Sequence, residues 1–260
     1  MWTRVYTIAI LQHIIITKDQ IKIFERGEEM LENVSVLIPY KPDNGQRDEL
    51  FKFVKKFYSH LLPQVELCIG SSSNKLFSRS QAINAAAKQA TRNIFIIADS
   101  DIIFDPNILI QAIGHLKEYA WVVPYTKVID LNRYVTDNLL KSEVIWPIIV
   151  EGEPRNWIDT GGINVIPRKN FEKVRGFDER FIGWGREDVA FTIAMNTICG
   201  QYYRMPTSIY HLWHEKVGEK GNPNLRNSTK LLLRYKKRRR YRRAMLKLVN
   251  ERGHNLNVIQ

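Results

Sequence analysis

Three observations predict an α/β fold with a mostly parallel central sheet, flanking helices and a basic C-terminal helix. Short β-branched apolar runs alternate with segments of helical period between residues 34 and 123. One of these runs, Ile94–Ala98, ends in two aspartates, Asp99 and Asp101. Far downstream, the stretch from Arg226 to Lys247 carries eleven Lys or Arg and no acid. Strand–helix–strand alternation favours parallel pairing through right-handed crossovers, a Rossmann-like arrangement.

Val34-Ser-Val-Leu-Ile38, closed by Pro39, reads as the first strand. From Asp48 to Leu62, apolar residues recur at helical spacing (Leu50, Phe51, Phe53, Val54, Phe57, Leu61), and Pro63 stops the helix. Val65–Ile69 is a second strand, Ser80–Ala90 an Ala-rich second helix and Ile94–Ala98 the third strand. Asp105 and Pro106 open a third helix running to Tyr119, and Ala120–Val123 is a fourth strand. Beyond about residue 130 the pattern loosens into aromatic and Gly-rich loops, expected to form an acceptor-facing half continuous with the same sheet. The domain expectation is a peripheral extension over 1–29, a catalytic domain over 30–224 with its nucleotide-binding half at about 30–130, and a basic helical tail over 225–260.

A chain of 260 residues with 44% hydrophobic and 25% charged residues can bury a sizeable core. The apolar run Val5–Ile16 is interrupted by Gln12 and His13 and is too short to span a bilayer, so no transmembrane segment is expected. Cys68 and Cys199 have neither metal-site spacing nor a disulfide framework, which points to a reducing cytoplasm, with contact at the inner membrane face or a host cytosol as variants. Lys and Arg number 39 against 27 acids, a formal charge of +12, nearly all of it in residues 226–247. That block reads as a contact surface for nucleic acid, anionic lipid or acidic polymer, or as a solvated helix whose leucines dock on the body.

Side chains alternate along a strand, so Asp99 and Asp101 project to the same side at the strand's exit, where α/β sheets bind ligands. Carboxylates there suit a hard divalent cation that carries nucleotide phosphates. Asp159-Thr-Gly-Gly162 and Gly183-Trp-Gly185 hold glycines that let the backbone approach a ligand, and Trp184 offers a flat surface for a sugar ring. Glu187 and Asp188 open a helix, where they either cap it or supply a base. His211 and His214, in Tyr210-His-Leu-Trp-His214, lead into a polar loop, and a neutral imidazole there makes a third ligand well suited to manganese.

Together these residues resemble the glycosyltransferase-A fold, in particular the inverting branch that contains the β-1,4-galactosyltransferases, with their galactosyltransferase C-terminal domain, and the bacterial chondroitin-type polymerases. The likeness runs from Val34 to about Asn224. It implies that the exit of Val34–Tyr40 meets the uridine, with Pro39 and Tyr40 at the nucleotide. Phe77-Ser-Arg-Ser-Gln-Ala-Ile-Asn84 resembles the family's Phe-x-Arg segment, which implies nucleotide contacts from Phe77 and Arg79, with Gly162 also on the donor side. Asp99-Ser-Asp101 corresponds to the Asp-x-Asp motif, with Asp101 as metal ligand and Asp99 near the ribose. Gly183-Trp-Gly-Arg-Glu-Asp188 implies Asp188 as acceptor base, with Trp184 and Glu187 on the acceptor sugar. His214, ahead of Asn222-Pro-Asn224, is the implied metal ligand and His211 its second choice. The chain departs from the family pattern at Arg186, where glycine is usual, at Val189, at Lys41 and Asp43, and in having no acid after the second strand.

The resemblance implies a hexosyltransferase that uses Mn²⁺ or Mg²⁺ and a UDP-sugar of galactose, GalNAc, glucose or GlcNAc type. The acceptor is a glycan, a polymer or modified nucleic acid. Retaining relatives tend to carry Asn at the Asp188 position, which favours inversion. A retaining transferase, a sugar-nucleotidyltransferase (although no Gly-rich triphosphate loop follows the first strand) and a non-enzymatic polyanion-binding protein are the alternatives.

Overall fold

The computed structural model describes residues 27–156, 159–183, 185–215 and 221–254. The Val5–Ile16 run and Trp184 lie outside the described residues. Strand β1 (Val34–Pro39) is wholly buried and pairs in parallel with β2 (Glu66–Gly70) on one side and β3 (Ile94–Ala98) on the other. Helix α1 (Gln46–Leu61) joins β1 to β2 and buries the stripe Leu50, Phe51, Phe53, Val54, Phe57 and Tyr58. Helix α2 (Arg79–Gln89) joins β2 to β3. Its small residues Ala82 and Ala86 let it lie so close that a methyl group added at Gly70 would fall 1.9 Å from the Ala82 carbonyl. The parallel β–α–β–α–β half is therefore as expected.

The next elements depart from that plan. After β4 (Ile102–Phe104), helix α3 (Asn107–His115) ends a turn earlier than its apolar pattern suggests. Strand β5 (Trp121–Val123) does not pair with β3. Strand β8 (Ile163–Pro167) lies between them, antiparallel to both, and β9 (Tyr202–Arg204) pairs in parallel with β5 on the outer edge. The six-stranded sheet thus runs β2-β1-β3-β8-β5-β9 and is parallel in three of its five pairings.

The region expected to face the acceptor is not simply an extension of this sheet. β4, β10 (Ser208–His211), β6 (Lys127–Asp130) and β7 (Glu153–Pro154) form a second sheet in the order β4-β10-β6-β7. Its strands have two to four residues, too short to register as a period of two. The sheet has a consequence for chemistry. It pairs His211 with Ile102, the residue after Asp101, and with Asp130 on the far side.

Helices α4 (Arg133–Lys141) and α5 (Arg168–Lys173) complete the connections, and α6 (Glu187–Ile198) starts at the two acids. The basic segment is two helices rather than one, α7 (Leu225–Arg238) and α8 (Arg242–Asn250), broken at an extended Tyr241. A run of cations over 236–240 is favourable at the C-terminus of one helix but self-repelling inside a longer one. Leu232, Tyr235, Met245, Leu248 and Val249 are buried, and the Tyr235 hydroxyl donates to Asp178 at 2.7 Å. Arg252 follows α8 and donates to the Gly176 carbonyl at 2.8 Å, so the C-terminal helices clamp the loop leading to Gly183. Among the described residues no helix is long and apolar enough to cross a membrane.

Candidate functional site

The exit of β3 supports two groups of charged side chains. The first is Asp101, His211 and His214, whose ligand atoms all lie within 4.8 Å of one another. His214 Nε2 is 3.1 Å from Asp101 Oδ2, and His211 Nε2 is 3.9 Å from Oδ1. The backbone enforces this, because the Leu212 amide donates to the Asp101 carbonyl at 2.9 Å. Arg47, in the first turn of α1, reaches within 3.9 Å of Asp101. Asp101 is only 8% exposed, and burial alone would raise its carboxyl. Interactions with His211, His214 and Arg47 outweigh burial and hold it well below the usual aspartate range. One carboxylate and two imidazoles are a donor set that fits a divalent transition-metal ion.

Behind this group stands a residue that sequence reasoning missed. Asp130, at the end of β6, lies 3.1 Å from His211 Nδ1. Arg155 grips it through two bonds of 3.0 and 2.5 Å. The hydrogen bond from His211, then the Arg155 pair, keep the Asp130 carboxyl well below its ordinary value. A strand-end aspartate carries no sequence signal of its own; only the β6–β10 register reveals it.

The second group centres on Arg79, which opens α2. Its guanidinium is 2.7–2.8 Å from Asp99 Oδ1 and 3.9 Å from Glu187 Oε1. Asp99 is further fixed by its own amide, which donates to the Gly162 carbonyl at 2.9 Å. Gly162 has φ +89°, a conformation that suits glycine. Burial pushes the Asp99 and Glu187 carboxyls upward against the pull of Arg79, and Glu187 Oε2 is buried with no hydrogen-bond partner among the described residues.

Asp188 lies beside this pair. Neither acid caps α6 in the usual way: the N-cap is Arg186, left-handed at φ +83°, and Asp188 Oδ1 instead accepts from the Val189 amide at 2.7 Å. Burial, followed by the charges of Glu187 and Asp159, raises the Asp188 carboxyl to about 8. Asp159, a second residue not anticipated, holds the Gly161 amide at 2.9 Å. A methyl group at Gly161 would sit 3.1 Å from Asp188 Oδ2 and 3.2 Å from Asp159 Oδ1, so a side chain there would crowd both carboxylates.

The remaining expected residues lie apart from these contacts. Pro39 is buried at the end of β1; the Tyr40 hydroxyl donates to Asp48 and its ring stacks on Phe51 at 3.9 Å. The Phe77 carbonyl accepts from the Gly183 amide at 3.1 Å, which anchors the glycine loop. Among the described residues none of these three bonds to either charged group. Two surface cavities, one of about 460 Å³ bordered by Lys117, Lys169 and Cys199 and one of about 310 Å³ bordered by Phe57, Trp146 and Ile149, include none of the site residues.

The family model described as the N-terminal domain of galactosyltransferase matches residues 154–216, from β7 to just past His214. No curated protein sequence matches the chain. Among solved structures, the catalytic domain of Drosophila β1,4-galactosyltransferase 7 in complex with xylobiose is similar at 18% identity and a TM-score of 0.47, over 76% of this chain and 79% of that one. A mutant of that enzyme in complex with manganese, UDP-Gal and xylobiose is similar at 18% identity and a TM-score of 0.42, over 70% and 71%. GalNAc-T7 with UDP, GalNAc and Mn²⁺ is similar at 11% identity and a TM-score of 0.45, over 85% of this chain and 54% of that one.

Proposed function

We propose that this protein is a metal-dependent glycosyltransferase of the glycosyltransferase-A fold, moving a hexose from a UDP-sugar to an acceptor hydroxyl with inversion. The observation that carries this is the convergence of Asp101, His211 and His214 at one strand exit, with Glu187 joined to the same exit through Arg79 and Asp99 and Asp188 next to it in the chain. The galactosyltransferase match over 154–216 spans Glu187, Asp188 and both histidines, which supports the same reading.

Asp101, His211 and His214 would hold Mn²⁺, which when bound supplies counter-charge to the departing diphosphate. Arg79 holds Asp99 in a fixed position at the donor end. Asp188, raised to about 8 by burial and by Glu187 and Asp159, takes the proton from the acceptor hydroxyl as that oxygen attacks the anomeric carbon from the far face. Glu187, with an unpaired buried oxygen, accepts a hydrogen bond from the acceptor sugar. The exposed cations at the end of α7 and in the break before α8, Lys236, Lys237, Arg239 and Arg240 among them, give an acidic polymer a place to dock, and salt-sensitive binding to anionic oligomers checks this.

The experiment is a panel of UDP-galactose, UDP-GalNAc, UDP-glucose and UDP-GlcNAc assayed for turnover with and without Mn²⁺. Release of UDP from at least one donor, dependent on Mn²⁺ and on Asp101, is expected. Turnover of none of them, or turnover indifferent to metal, would overturn the assignment. The anomeric configuration of the product, read by NMR, decides inversion.

A further inference from the structure

We infer that Asp130, clamped by Arg155, is a positioning residue that fixes the His211 ring so that Nε2 faces Asp101 and His214. The inference rests on the proposed metal-binding role of that cluster and goes beyond its ligand set. β6 and β10 run parallel with Asp130 directly opposite His211, so the two side chains meet at the strand ends without any loop to blur their spacing. His211 Nδ1 is 3.1 Å from Asp130 Oδ1, while Nε2 faces Asp101. An imidazole offers one lone pair when neutral, and the nitrogen that carries the proton is set by the partner on the other side. With Nδ1–H given to Asp130, Nε2 keeps its lone pair for a metal.

His214 shows the same polarity by another route. Its Nδ1 lies 2.8 Å from the Glu215 carbonyl and 3.3 Å from the Arg47 guanidinium, and its Nε2 turns to Asp101 Oδ2. Both rings therefore turn Nδ1 outward to protein groups and Nε2 inward. His214 is anchored by main chain, which substitution cannot remove; His211 is anchored by a side chain, which it can. Arg155 completes the device by forking onto both Asp130 oxygens, and its own amide donates to the Val128 carbonyl at 2.8 Å. A carboxylate behind a ligating imidazole fixes the ring and raises its basicity, and loss of such a partner typically weakens metal binding 10–100-fold.

The test titrates Mn²⁺ into wild-type protein, Asp130→Asn, His211→Ala and the double variant, by calorimetry or by the EPR signal of free Mn²⁺, with no nucleotide sugar present. Asp130→Asn is expected to weaken Mn²⁺ affinity about tenfold or more, and the double variant to bind no more weakly than His211→Ala alone. A role confined to holding β6 against β7 would leave the metal affinity unmoved. Wild-type binding with an equal affinity in Asp130→Asn overturns the inference and spares the metal site. A wild type that binds no Mn²⁺ overturns the metal site, and the inference with it. Should Asp130→Asn fail to fold, long-range ¹H–¹⁵N correlation on the wild type decides the matter: a proton on His211 Nδ1 supports the assignment, and a proton on Nε2 overturns it.

Discussion

Asp101 and Asp188 are the same side chain, the first buried and the second partly buried, and their surroundings drive them in opposite directions. Asp101 faces two imidazoles and Arg47, which together outweigh the cost of burial and hold it ionised. Asp188 faces Glu187 and Asp159, and Arg79 is too committed to Asp99 to compensate, so its carboxyl rises to about 8. One environment makes a permanent anion suited to anchoring a cation. The other makes a base that gives up its proton near neutral pH. Where neighbours push two like groups apart in this way, the acid–base roles can be assigned from the surroundings.

The sharpest way to break the comparison is to remove the anchor. Asp101→Ala leaves two imidazoles without their carboxylate, and Mn²⁺-dependent transfer should fall by about a thousandfold or more, equivalent to several kcal/mol of lost charge stabilisation. Mn²⁺ titration and UDP release are the measurements. Binding that survives the substitution would show that Asp101 is not the anchor.

Removing the base comes next. Asp188→Asn keeps the shape and should lower kcat about 10²–10⁴-fold, with Mn²⁺ and donor affinity unchanged. Because a raised carboxyl must lose its proton before it can accept one, wild-type kcat/KM should climb with pH and level off above about 8. A flat profile across that range, or near-normal turnover in the variant, would take Asp188 out of the role.

The same substitution has a stability consequence of opposite sign. The folded carboxyl lies above its unfolded value, so the wild type incurs no penalty below about pH 4; the penalty grows as pH rises and is complete above about 8. Asp188→Asn should therefore raise Tm by about 2–6 °C at pH 9 and hardly at all at pH 4.5. A lower Tm at pH 9 would mean that the carboxylate is stabilised by a contact the present assignment omits.

The two halves of the site differ in how far they could be read from residues alone. Ile94–Ala98 with Asp99 and Asp101 is legible because a strand buried in the middle of the sheet is a continuous apolar run and its exit is where ligands sit. His211, His214, Glu187 and Asp188 stand out as chemistry-bearing residues on recognisable segments. What brings them together was not legible. The second sheet is built from strands of two to four residues, below the length at which alternation can be seen, and it alone carries Asp130 to His211 and His211 to Asp101. Likewise β8 slots antiparallel between β3 and β5, a non-local pairing that no local pattern announces. Asp159 stands at the head of the Asp159–Gly162 motif, but its closeness to Asp188 depends on the Gly161 backbone. The basic segment showed its charge in sequence but not its break at Tyr241, which follows from wrapping two short apolar faces around α6.

The smallest effect separates the two arginines that serve these carboxylates. Arg79 is only 14% exposed and bonded to Asp99, so it is part of the framework. Arg47 is 39% exposed, 3.9 Å from Asp101 Oδ2 and 3.3 Å from His214 Nδ1, and it stands beside the proposed metal ligands as a cation. A partly solvated pair of this kind is worth at most about 1 kcal/mol. With respect to a metal ion it competes for the same carboxylate. Arg47→Met should therefore tighten Mn²⁺ binding about two- to fivefold in the absence of donor, read in the same titration as Asp101→Ala. A weakened affinity would instead show that Arg47 orders His214 for binding, and that the anchor depends on its neighbouring cation as strictly as Asp99 depends on Arg79.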